Sequence, residues 1–214
     1  MSSLSAGWLH TCAVMDAGGL KCWGRNTYGQ LGDNTQTHRN TPLGVVGLTG
    51  GVLQVAGGQA HTCAVTTSGA AKCWGLGTSG QLGNRSAAGS FIPSDVYDMS
   101  VGVTAIAAGK NHNCAVVGRA IKCWGGNPGG ELGDGSTGNT RLAPVSVVGL
   151  SGVVSSLAAG GDHTCAVVDG AAKCWGWNYY GQIGDGSTVQ KNAPVAVSGA
   201  STPAFWRYTS RFRL

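Results

Sequence analysis

The sequence predicts an all-β chain built from four copies of one small antiparallel unit, on three observations. Gly makes up 38 of the 214 residues, roughly 18%, where about 7% is ordinary. A glycine inside a helix costs about 1 kcal/mol against alanine, so this composition disfavours a helical bundle and fits short strands joined by tight turns. His10, His61, His112 and His163 recur every 51 residues, while Trp23, Trp74, Trp124 and Trp175 recur at 51, 50 and 51. Eight cysteines fall two to a unit. A hydrophobic content of 42% with a net charge of +5 argues against disorder. No G-X-Y period marks collagen, and no apolar stretch approaches the roughly 18 residues of a membrane span.

The elements follow one another in the same order in each unit. The fourth unit opens on a strand-like run from Val154 to Gly160, continues through His163-Thr164-Cys165-Ala166-Val167, and then through Lys173-Cys174-Trp175-Gly176. A Gly181-Gln182-Ile183-Gly184-Asp185 segment and a final run, Pro194 to Val197, complete it. Gly7, Gly58, Gly109 and Gly160 each stand three residues before the histidine, and glycine is expected at turns for the positive φ it tolerates. The start of the chain is in phase, Ser2 to Gly7 aligning on Ser155 to Gly160. The units run over about 1–50, 51–101, 102–152 and 153–200. One four-stranded sheet cannot cover both of its own faces, whereas stacked neighbours can. Four strands every 40 to 50 residues is the signature of a β-propeller blade.

At these residues the chain resembles a known family. Ala-Lys-Cys-Trp-Gly, an Asn, Gly-Gln-Leu-Gly-Asp and Gly-x-x-His-Thr-Cys-Ala-Val together look like the regulator of chromosome condensation (RCC1) repeat, in register four times over about residues 1–200. The cysteine-rich form is most similar to exported bacterial proteins of this type. The resemblance implies a β-propeller, usually of seven blades, and roles that include guanine-nucleotide exchange on a small GTPase and the binding of protein partners. Four units are too few for seven blades, so an open arc, a partial propeller, is expected, with closure by four blades or by assembly of chains as the alternatives. After Val197 the pattern breaks: 201–214 is a basic-aromatic tail holding Trp206, Arg207, Tyr208, Arg211 and Arg213. It reads as a truncated or frame-shifted gene end or as a short docking segment.

The cysteine register can be derived. Asp169-Gly170 reads as a two-residue type I′ turn, and Cys165 and Cys174 each lie four residues from it. Cys114 and Cys123 stand likewise about Gly118-Arg119. The pairs Cys12/Cys22 and Cys63/Cys73 flank three-residue loops, Asp16-Ala17-Gly18 and Thr67-Ser68-Gly69, with Gly at the left-handed position. Each pair should face across its hairpin at a non-hydrogen-bonded position, with Cα atoms about 4.5 Å apart. Disulfides are the favoured reading. The alternatives are buried thiols and, with His10, Cys12 and Cys22 and their equivalents, a metal site short of the usual four ligands. Disulfides would place the protein outside the cell or on its surface. No secretory signal peptide is present, so export would need an upstream segment.

Little in the sequence points to catalysis, and neither an enzyme nor a cofactor is expected. An active site is normally unique, whereas four of the five histidines occupy the repeat position. The fifth, His38, reads as a solvated loop residue. Asp33, Asp134 and Asp185 follow the Gly-Gln-Leu-Gly-type segment and should bond turn backbone. Glu131 is the only glutamate, and no pair of carboxylates stands out for acid–base work. Without the arginines of the tail the net charge is only +2, so no basic stripe for nucleic acid is expected. The repeated tryptophans, pointing away from the cysteines, should pack between blades. Binding is expected where the units differ, after Trp-Gly: Arg25 and Tyr28 in the first unit, Trp177, Tyr179 and Tyr180 in the fourth. These residue types anchor protein interfaces. The expected role is a non-catalytic protein-binding module. Guanine-nucleotide exchange, a carbohydrate-binding surface, and self-association to complete the propeller are further expectations.

Overall fold

The computed structural model describes residues 1–200; the tail, with Trp206 and Tyr208, lies outside the described residues. Sixteen strands form four antiparallel sheets. The first blade holds β1 (Ser3–Ala6), β2 (His10–Val14), β3 (Leu20–Gly24) and β4 (Arg39–Gly44). The second holds β5 (Val52–Gly57), β6 (His61–Thr66), β7 (Ala71–Gly75) and β8 (Ser90–Asp95). The third holds β9 (Val103–Ala108), β10 (His112–Val117), β11 (Ala120–Gly125) and β12 (Arg141–Ser146). The fourth holds β13 (Val154–Ala159), β14 (His163–Val168), β15 (Ala171–Gly176) and β16 (Lys191–Ala196). Within each blade the strands pair in chain order as a meander.

The hairpin geometry follows from the turn residues. Asp169 and Gly170 both have positive φ, 49° and 79°, as a type I′ turn requires. In the first two blades Gly18 (φ 76°) and Gly69 (φ 78°) close three-residue loops. Cys12 faces Cys22, Cys63 faces Cys73, Cys114 faces Cys123 and Cys165 faces Cys174. Each pair is joined as a disulfide with Cα atoms 4.1 Å apart. The outer strand of every blade carries a proline, and its register shifts there, as between Cys22 and Gly24 opposite Leu43 and Arg39. Proline lacks the ladder donor, and an irregular edge strand tolerates it.

The core lies between blades. One cluster joins Cys12, Leu20, Cys22, Leu31 and Val45 of the first blade to Val55, Ala64 and Trp74 of the second, and the same arrangement recurs twice. The first three cysteine pairs thus face the next blade, and Trp74, Trp124 and Trp175 the preceding one. Blades contact their neighbours in chain order, through β1 and β5, β5 and β9, and β9 and β13. The row does not close. Leu4 of β1 is 64% exposed, while its equivalent Val55 is 3% exposed, because the face Leu4 presents has no blade against it. Trp23 is partly exposed where Trp74, Trp124 and Trp175 are fully buried. At the opposite end His163 and Cys165 are partly exposed.

Candidate functional site

The histidines lock successive blades. His10 Nε2 meets Thr62 Oγ1 at 2.9 Å, His61 Nε2 meets Asn113 Oδ1 at 2.9 Å, and His112 Nε2 meets Thr164 Oγ1 at 2.9 Å. Burial holds these imidazoles neutral, lowering the pKa to about 4 for His10 and His61 and to about 3 for His112. His163, at the open end, is shifted the same way. The tryptophans reach in the opposite direction: the Nε1–H groups of Trp74, Trp124 and Trp175 donate to the carbonyls of Gln30, Gln81 and Glu131. Gly58 is required for a reason other than the expected one. Its φ is ordinary, but a Cβ there would collide with the His61 ring and with the carbonyl of Gly109.

The long loops between third and fourth strands lie at the same end of the blades as the turns between first and second strands. The two are stitched together, as where Trp177 N donates to Asp162 O. Each loop is organised by one asparagine: Asn26, Asn127 and Asn178 accept from the backbone N–H of Leu31, Leu132 and Ile183. Asp33, Asp134 and Asp185 accept from the N–H two residues on and pair with Arg39, Arg141 and Lys191. For Asp33 and Asp134 these hydrogen bonds outweigh the opposing effect of burial and hold the carboxyl below its usual range. Asp185 is held low by Lys191 and Ser187. His38 is exposed but not merely solvated. Its Nδ1 accepts from Asn26 N at 2.9 Å, which corrects the sequence reading: the loop folds back and gives the ring a structural partner.

The loop face carries the candidate binding residues in two groups. Arg25 and Tyr28 are exposed on the first blade, the guanidinium 5.9 Å from the Tyr28 ring centre. Trp177, Tyr179 and Tyr180 are exposed on the fourth, Tyr180 by 85%, with the two tyrosine rings edge to face at 4.9 Å. Blades two and three separate the groups. The inner strand ends surround a cavity of about 450 Å³ lined by Trp8, Gln59, Lys110 and Gly161 among others. Among the described residues no three His, Cys, Asp or Glu side chains converge to hold a metal ion.

A second cavity, of about 250 Å³, lies at the seam of blades three and four and is lined by both Glu131 and Asp162. The sequence reading did not pair these carboxylates. The available signal was one break in the repeat, Gln30, Gln81 and Gln182 standing where Glu131 does; the column of Asp162 varies throughout, holding Leu9, Ala60 and Asn111.

The regulator of chromosome condensation (RCC1) repeat model matches residues 18–65, 69–116, 123–167 and 169–205. Among curated proteins, the probable E3 ubiquitin-protein ligase HERC4 of Homo sapiens is 32% identical over 202 residues, 92% of this chain and 19% of that protein. The ultraviolet-B receptor UVR8 of Arabidopsis thaliana is 32% identical over 218 residues, 96% of this chain and 49% of that protein. The chain thus spans about a fifth to a half of the length of these relatives. Among solved structures, human WBSCR16 superposes with a TM-score of 0.82 at 24% identity, covering 91% of this chain and 52% of that one. Yeast RCC1 (Prp20), solved bound to Kap60, superposes at 0.79 and 24% identity, covering 93% and 49%. Four sequence matches in register and four blades of the corresponding fold lead to one assignment: the chain belongs to the RCC1-repeat family.

Proposed function

We propose that this chain is a non-catalytic protein-binding module of an exported or cell-surface protein, and that it docks partners through the loop face. The observation that carries the reading is the exposed aromatic group of Trp177, Tyr179 and Tyr180, of which only Tyr180 has an aromatic equivalent, Tyr28, on a loop whose Asn178 and Asp185 are spent on structure. Large aromatics on a rigid support bury area at little entropic cost. Yeast RCC1 (Prp20) has been solved bound to Kap60 and has binding properties towards Gsp1p and histones, which sets a precedent for proteins as ligands of this fold. Four disulfides favour an oxidising compartment. The test is selection of a displayed random-peptide library on the wild type and on a W177A/Y179A/Y180A variant. Peptides that bind the first at least about tenfold better support the reading; equal binding overturns it.

Guanine-nucleotide exchange is the alternative. The tryptophan spacings leave no room between repeats for an inserted wedge, which weighs against it. Accelerated nucleotide release from a small GTPase would displace the non-catalytic reading, and specific binding on a glycan array would favour a carbohydrate surface instead. A separate observation favours self-association. The first blade offers Leu4, Thr11 and Trp23, and the fourth offers His163 and Cys165, the two halves of the seam made at every internal junction. A second copy stacked end to end would join His163 of one to Thr11 of the other. Sedimentation velocity should show concentration-dependent association that is lost on Leu4→Asp; a monomer at every concentration refutes it.

A further inference from the structure

Three seams join the four blades, and one differs chemically from its neighbour. Between blades two and three, Gln81 Oε1 accepts from Ser79 N at 2.8 Å while its Nε2 donates to Asn111 Oδ1 at 3.2 Å. Every oxygen of the Gln81 amide has a donor, and no charge is buried. Between blades three and four both partners have become acids, Glu131 for the glutamine and Asp162 for the asparagine. Glu131 Oε2 keeps the inherited bond, accepting from Gly129 N at 2.9 Å. Glu131 Oε1 has no partner, although the side chain is only 2% exposed. An unpaired buried carboxylate oxygen costs several times what an exposed one does. A second carboxylate on the same cavity adds repulsion.

No countercharge is built in. Among the described residues no lysine or arginine pairs with Glu131 or Asp162. His112 lines the cavity, but burial keeps it neutral. The other lining groups, Ser79, Asn127 and Thr140 among them, offer hydroxyl and amide oxygens. Two carboxylates on one cavity, one with an unpaired buried oxygen and neither with a countercharge, suit a planar or tetrahedral organic cation.

We propose that this cavity receives a guanidinium or ammonium group, the head of an arginine or lysine side chain carried by a protein partner. The volume, about 250 Å³, accommodates such a head with part of its methylene stem. Glu131 Oε1 and Asp162 accept its N–H donors. The inference rests on the docking reading for the source of the group and extends it by naming the side chain that enters.

The experiment uses the whole chain, isotope-labelled, titrated with Nα-acetyl-arginine-N-methylamide, with the lysine analogue, and with the neutral citrulline analogue. The comparison protein is the E131Q/D162N variant, which restores the residue types already seated between blades two and three. Its amide spectrum reports its folding, and E131Q alone serves if the double variant fails to fold. Saturable shifts at Gly129 and Asn127 with a cationic probe, at least about tenfold weaker with citrulline and in the variant, are the expected result. Absence of shifts at tens of millimolar probe, or equal shifts in both proteins, overturns the proposal. The two readings fail separately. Selected peptides that bind wild type and E131Q/D162N alike refute the pocket and leave docking intact. Arginine binding without any selected peptide refutes docking and leaves the pocket.

Discussion

Lowering the pH from 7 to 5 should destabilise this fold through its histidines. His10 and His61 have pKa values lowered to about 4, and His112 to about 3, because burial removes the solvation of the charged ring. In the unfolded chain each returns to an ordinary value near 6.5. The folded value is the lower one, so the unfolded state binds more protons throughout the window from about 6.5 to 4, and stability falls as pH falls through it. Each histidine then loses roughly 2 kcal/mol between pH 7 and pH 5, and three together about 6 kcal/mol. That is a large share of the 5–15 kcal/mol typical of a domain. Glu131 acts with the opposite sign: burial raises its pKa, so its penalty grows as pH rises. Below about pH 4 the carboxyls of Asp33 and Asp134, held ionised by their partners, take over the loss. Urea unfolding at pH 7, 6 and 5, at fixed ionic strength and without reductant, reads the effect. A midpoint that stays constant or rises on going from pH 7 to 5 would show that these rings titrate freely, and the seam bonds assigned to them would be wrong.

Other outcomes are expected. Intact mass after reduction and alkylation should show eight modified thiols where the untreated protein shows none, and C63A/C73A should cost about 2–3 kcal/mol in chemical unfolding, given a loop of this size. Trp124→Ala removes a fully buried ring and leaves the Gln81 carbonyl without its donor, so a loss of about 3–5 kcal/mol is expected. Trp23→Ala at dilute protein should cost markedly less, since no blade covers that ring. Glu131→Gln should raise Tm at pH 8, because an amide can donate where the carboxylate oxygen has no partner; an unchanged or lower Tm would mean that Oε1 is solvated.

The disulfide register was legible because it needs only two local facts, the turn residues and the period of two along a strand. Asp169-Gly170 sets both for Cys165 and Cys174. The direction of the tryptophans followed from the same alternation. The requirement for glycine three residues before each histidine was visible, but its cause was not. The Gly58 neighbours are a ring three residues on and a carbonyl of the next blade, and only packing brings them together. His38 was misread for a related reason, its partner Asn26 lying twelve residues back across a loop. The acidic seam was the hardest to see. Glu131 is a single-residue departure in one unit, Asp162 sits in a column that differs in every unit, and nothing in one dimension says that those two columns of the repeat meet across a junction.

The bonds His10–Thr62, His61–Asn113 and His112–Thr164 all span 52 residues, one unit plus one position. Stability in such an array is close to a sum of unit terms and neighbour terms. A whole unit can therefore be duplicated or deleted with every remaining junction intact, since each new boundary again sets an imidazole against a hydroxyl or amide. Loss of part of a unit breaks that phase at once. Chain length can thus change in steps of one blade without unmaking any joint, whereas a step of any other size unmakes at least one.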